Sequence, residues 1–213
     1  MPIRTNVYVD GFNLYYGGVK GTPFKWLNIV EMSRQLLKPD HVIGKVRYFT
    51  ARATPRPNNP TITERQNTYL RALATLPEIS IHFGMFLTNP ATLPLADGTG
   101  MATVLRTEEK GSDVNLATYL LLDAFDDDYE TALVISNDSD LVEPILQARR
   151  RLGVTVGICC PVYTRGRHPS RQLVEATDFN VHLAANRKRV LRDCQFPVHM
   201  EDGQGRFRKP DRW

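Results

Sequence analysis

At 213 residues and 42% hydrophobic content, the chain has the size and apolar share of one α/β domain with extensions. Its net charge of +4 is modestly basic, which permits an acidic partner such as nucleic acid without requiring one. Three cysteines (Cys159, Cys160 and Cys194) argue against a disulfide framework and for a reduced cytoplasmic protein; no Cys/His group has zinc-ligand spacing, and neither a signal pattern nor a bilayer-length apolar run is visible.

Along the chain, Val7, Tyr8 and Val9 predict a short strand, about Asn6 to Asp10, followed by Gly11, Phe12 and Asn13. A helix is expected over about Leu27 to Leu37, stopping before Pro39. A second strand follows from Val42 to Thr50, then a Pro- and Asn-rich loop from Thr54 to Pro60, then a helix from Thr63 to Leu76 ended by Pro77. Ile79 to Phe86 reads as a third strand, Asn89 to Gly100 as an exposed turn or hairpin between two strands, and Met101 to Thr107 as a short returning strand. Val114 to Ala124 is a helix. The run Ala132 to Ile135 has no glycine or proline, the pattern of a parallel strand covered on both faces. A helix from Leu141 to Leu152 and a strand from Val154 to Cys159 complete the repeat. Alternating βα units with right-handed crossovers imply a mostly parallel sheet.

Four acids stand at the ends of these elements. Asp10 closes the first strand, Asp113 opens a helix, and Asp138 and Asp140 follow the central strand. Each alone reads as a helix cap or an acidic turn. Together they occupy the carboxyl edge, where open α/β sheets bind ligands. Their charges repel unless something positive lies between them, and a divalent cation is the simplest partner.

The stretches VYVDGFNLYY, EEKGSDVNLATYLLLDA and ALVISNDSDLVEPILQARRRLG resemble the three motifs of NYN domains, which are PIN-like nucleases. The resemblance covers about Val7 to Cys159. It implies a PIN-like Rossmannoid three-layer fold with helices on both faces of the sheet, whose strand order the βα units put at about 3-2-1-4-5. It also implies metal-dependent ribonuclease activity with Mg²⁺ or Mn²⁺. Asp10, Asp113, Asp138 and Asp140 match the family's acidic positions, and Asn13 matches the polar residue after the first. Asn137 departs from the pattern: it stands where the family often has glycine, and asparagine tolerates a positive φ.

In this reading Asp10 and Asp138 hold the ion directly or through water, Asp140 and Asp113 complete the shell, and Asn13 positions the phosphate or a ligand water. Lys110 and Ser136 are candidates for the scissile phosphate and for orienting water, while Glu108 and Glu109 read as solvated loop charges. Arg52 and Arg56 after the second strand, and Tyr163, Arg165, Arg167 and Arg171 after the last, form an expected basic rim for RNA. Arg149, Arg150 and Arg151 close a helix and read as complements to its dipole. The nuclease domain is expected over residues 1–183, and residues 184–213 form a basic extension. This extension suits an RNA-binding arm or a segment packed through Phe207 and Trp213. Other readings are a cleavage-deficient RNA-binding module and a flap-type DNA nuclease. A haloacid dehalogenase-type phosphatase needs a second Asp where Phe12 stands. Membrane association is not expected, and homo-oligomerisation is left open.

Overall fold

The centre of the molecule is strand β1 (Ile3–Asp10), seen in a computed structural model that describes residues 1–55, 59–162, 168–183, 188–211 and 213. Val7 and Val9 turn to one face and Tyr8 to the other, and all three are fully buried. β1 is therefore covered on both sides, as its apolar run requires. β2 (His41–Ala51) pairs parallel on one flank and β5 (Thr131–Ile135) on the other. β3 (Ile79–Pro94) lies outside β2; β6 (Thr155–Cys160) and β7 (Phe179–His182) lie outside β5. β4 (Met101–Lys110) runs antiparallel along β3.

The seven-stranded order is β4-β3-β2-β1-β5-β6-β7, which corrects the expected 3-2-1-4-5. The difference lies at the edges. Phe179–His182 adds a parallel strand to β6, and Met101–Lys110 is a full edge strand rather than a short return. Of the turn or hairpin expected from Asn89 to Gly100, the structure has the hairpin: Asn89 to Pro94 continue β3 and pair with Met101 to Arg106. Beyond Gly84, β3 pairs only with β4, and an edge tolerates Pro90 and Pro94 where a central strand does not. Facing threonines help to hold this arm, with Thr88 and Thr107 hydroxyls 2.8 Å apart.

Helices cover both faces. α2 (Ile29–Leu36), α3 (Ile62–Leu73) and α7 (Lys188–Asp193) pack on the Val7 and Val9 side. α4 (Ser112–Phe125), α5 (Val142–Leu152) and α6 (Arg171–Ala176) pack on the Tyr8 side. Asn28 caps α2 by accepting from the Glu31 amide at 3.0 Å. α5 ends at Gly153 in the left-handed region, φ 73°. Arg149 does more than complement a dipole: it grips Asp178 and donates to the Ala176 carbonyl at 2.6 Å, fastening α6 and the entry to β7.

One ion pair is held inside. Arg47 and Asp123, with side chains 13% and 7% exposed, meet in a two-point contact of 2.6 Å per bond. The Tyr8 hydroxyl adds a third bond to Asp123 at 2.7 Å. Geometry of this quality is what lets a buried pair offset its desolvation.

The carboxyl-terminal segment packs on its own domain. Trp213 lies 5.3 Å from the Tyr69 ring and 6.3 Å from Trp26, and Phe207 lies under the Arg71 guanidinium at 4.3 Å. Its hairpin, β8 (His199–Asp202) with β9 (Gly205–Arg208), is anchored by Arg71, which donates to Asp202 at 2.7 and 2.6 Å.

Candidate active site

β1 and β5 are neighbours, and the two chains leaving their carboxyl ends meet at Asp10. The acid is only 2% exposed. It closes β1 and caps the helical turn α1 (Gly11–Asn13), accepting from the Asn13 amide at 2.9 Å. The Asn13 side chain donates to its other oxygen at 2.6 Å. From β5, the buried Ser136 hydroxyl donates to that same oxygen at 2.9 Å. Burial raises the pKa of Asp10, the three donors lower it, and the neighbouring Asp138 charge raises it again.

The second strand end continues the chain of bonds. The Asp138 amide donates to Ser136 Oγ at 3.1 Å, and the Asp140 amide donates to Asp138 Oδ1 at 3.0 Å. Asp138 thereby caps a one-turn 3-10 helix, Ser139–Leu141, that feeds α5. Ser136, a candidate in the sequence for orienting water, is the joint between the two strand ends.

Asp113 reaches the same place from α4. Its pKa is pushed up to about 7, first by burial, then by the charges of Asp10, Asp138, Glu109 and Asp140. Four other carboxylates, from three stretches of the chain, thus bear on Asp113. Glu109 is not the solvated loop charge expected: it caps α4, accepting from the Ser112 amide at 3.1 Å and its hydroxyl at 2.7 Å. The turn into α4 runs through Gly111 at φ 96°, a left-handed conformation suited to glycine.

The other candidate residues do not gather at the acids in the same way. Lys110 is exposed and pairs with Glu108 at 3.1 Å. Arg52 turns toward α3, donating to Asn67 at 3.2 Å and lying over the Phe83 ring at 4.4 Å. Arg171 is exposed and pairs along α6 with Glu175 at 2.6 Å. Arg56, Tyr163, Arg165 and Arg167 lie outside the described residues. Asn137 makes no use of a positive φ; among the described non-glycine residues only Asp127 does, at 53°. Its side chain instead accepts from the Ser170 amide at 2.7 Å and donates to the His168 carbonyl at 3.3 Å, which glycine could not do.

Sequence reasoning missed Tyr48. Its ring packs against Gly11, where an added Cβ would lie 2.7 Å from the tyrosine Cζ and hydroxyl and from the Phe49 carbonyl oxygen. Burial raises the Tyr48 pKa and the Asp10 charge raises it further. The close approach that follows from a glycine after the strand was the available signal, but its partner lies 37 positions away on β2, beyond the reach of any local pattern.

The donor set is oxygen only, which suits a hard cation. Among the described residues no three acidic, histidine or cysteine groups close to metal-ligand spacing.

Comparison with known proteins gives three likenesses. The NYN domain family model matches residues 4–184. A 6-hydroxy-3-succinoylpyridine 3-monooxygenase of Pseudomonas putida is 26% identical over 241 residues, covering 100% of this chain and 76% of that protein. A crystal structure of a protein of unknown function from Vibrio parahaemolyticus superposes with a TM-score of 0.53 at 15% identity, covering 85% of this chain and 93% of that one. The last likeness concerns the fold alone.

Proposed function

We infer, because this chain belongs to the NYN domain family, a family of nuclease type, that it is a metal-dependent ribonuclease cutting RNA phosphodiester bonds. The observation that carries the reading is the convergence of Asp10, Asp113, Asp138 and Asp140 from three elements into one field of mutual repulsion.

Asp10 and Asp138 would hold Mg²⁺ or Mn²⁺, with Asp113 and Asp140 completing its surroundings. Such an ion, when bound, offsets charge on phosphate oxygens and acidifies water. The chain's own residues do the rest. Asn13 and Ser136 fix the rotamer of Asp10, so its free electron pairs keep one direction. Glu109 holds the start of α4 and thereby the position of Asp113. Burial of Asp10 and Ser136 keeps bulk water from one side of the site, which strengthens each charge interaction there.

The test is cleavage of matched single-stranded RNA and DNA with Mg²⁺, Mn²⁺ or EDTA, by wild type, Asp10→Asn and Asp138→Asn. The reading expects metal-dependent RNA cutting that both variants lose by about a hundredfold or more. Equal cutting by Asp138→Asn refutes the site, and preference for DNA refutes the substrate.

A second reading is monooxygenation of a small pyridine, the activity in the name of the Pseudomonas putida relative. An aromatic cavity bordered by Gly11, the residue after Asp10, favours it. Turnover of such a ring with O₂ and a two-electron donor supplied, by a protein that leaves RNA intact, would establish it.

A further inference from the structure

The residues that follow Asp10 form one wall of a second feature. Gly11 and Phe12 border a cavity of about 390 Å³, lined also by the π-helical turn Leu14–Val19, the end of β2, α3 and Trp213. That volume lies within the roughly 300–1,000 Å³ of small-ligand sites.

Its lining has a definite chemistry. Tyr15 and Tyr16 meet edge to face at 5.1 Å, and Phe12 meets Phe86 in the same way at 5.6 Å. Walls of this kind stack on flat rings. Cations stand among them. Lys20 lies 4.6 Å over the Tyr16 ring, and Lys25 lines the same space beside Arg65. Among the described residues, neither Lys20 nor Lys25 pairs with a carboxylate. Burial lowers the pKa of Lys25, and the charges of Arg65 and Lys209 lower it further, a crowding that an anion would relieve. The buried indole N–H of Trp213 finds no acceptor among the described residues. Tyr48 borders the cavity and also touches Gly11, so the cavity and the acid site share a wall.

We propose that this cavity is a nucleotide pocket, taking one unstacked base of a single-stranded nucleic acid against its aromatic walls with the attached phosphate on Lys20 and Lys25. The proposal rests on the nuclease reading and narrows its substrate: a base paired in a duplex cannot enter a recess of this size without leaving its stack. The strand would then run from the pocket past Gly11 to Asp10.

The test titrates intrinsic tryptophan fluorescence with uridine and adenosine monophosphates, and in parallel with a pyridine carboxylate. The proteins are wild type, Tyr16→Ala, Lys25→Ala and Asp138→Asn. Tyr16 is 47% exposed, so its truncation leaves the fold intact. Mononucleotides are expected to quench saturably in wild type and in Asp138→Asn. Tyr16→Ala and Lys25→Ala should each bind on the order of tenfold more weakly and raise KM for single-stranded RNA similarly, with little change in kcat. Wild-type KM in both variants, with RNA still cut, overturns the pocket and leaves the nuclease reading standing. Binding of the pyridine carboxylate but not of mononucleotides also overturns it, in favour of a small heteroaromatic acid. Mononucleotide binding that both variants weaken, in a protein that cuts no RNA, supports the pocket and removes the nuclease reading.

Discussion

Asp113→Asn removes one charge from the acid cluster and should make the cation-free protein more stable at alkaline pH. The carboxyl is pushed up to about 7 by burial and by the surrounding acids, roughly three pH units above an ordinary aspartate. Because the folded pKa lies above that of the unfolded chain, the associated stability is complete below about pH 4 and is lost as pH rises through about 7. Three pH units correspond to at most about 4 kcal/mol. Asp113 is only half-buried, and water screening reduces this to about 1–2 kcal/mol. The asparagine variant has no such loss. Urea unfolding in EDTA should therefore show Asp113→Asn ahead of wild type by about 1–2 kcal/mol near pH 8, with the difference vanishing near pH 4. Adding Mg²⁺ should stabilise wild type more than the variant, because a ligand that binds only the folded state adds stability by mass action. If Asp113→Asn is the less stable protein near pH 8 in EDTA, the carboxyl is not under like-charge repulsion and the argument for a cation site fails.

Other perturbations follow from single contacts. Gly11→Ala puts a methyl 2.7 Å from Tyr48 and the Phe49 carbonyl; the overpacking should cost about 1–3 kcal/mol in denaturant unfolding, and cleavage should fall with it. Ser136→Ala removes the donor to Asp10 and the acceptor for the Asp138 amide; a loss of about 1–3 kcal/mol is expected, with cleavage reduced about tenfold or more. Asp123→Ala strands Arg47 inside the sheet face and should cost about 3–5 kcal/mol by urea unfolding. Asp123 lies among the buried partners of Tyr8, away from the acids, so cleavage per folded molecule should be unchanged.

Much of this molecule is legible along the chain because it depends on near neighbours. The runs Val7–Val9 and Ala132–Ile135 announce buried parallel strands, and both are fully buried in neighbouring strands. Asp10, Asp113, Asp138 and Asp140 announce themselves by standing where elements end. The hairpin arm was harder. Pro90 and Pro94 look like breakers in isolation, and only the knowledge that their strand has one free edge makes them acceptable. Glu109 looks like a loop charge until Ser112 is seen folded back onto it. The carboxyl-terminal segment has no local pattern that names its partner, because Trp26, Tyr69 and Arg71 lie more than a hundred residues earlier.

The sequence by itself determined the layered α/β class, the strand that carries Asp10 and the family to which the chain belongs. These rest on periodicity, composition and residues within one turn or strand of each other. Tertiary structure alone decided that Ser136 joins the two strand ends, that Tyr48 abuts Gly11, and that an aromatic cavity adjoins the acids. Those are contacts between side chains distant along the chain, and packing selects them through shape and charge rather than through any local preference.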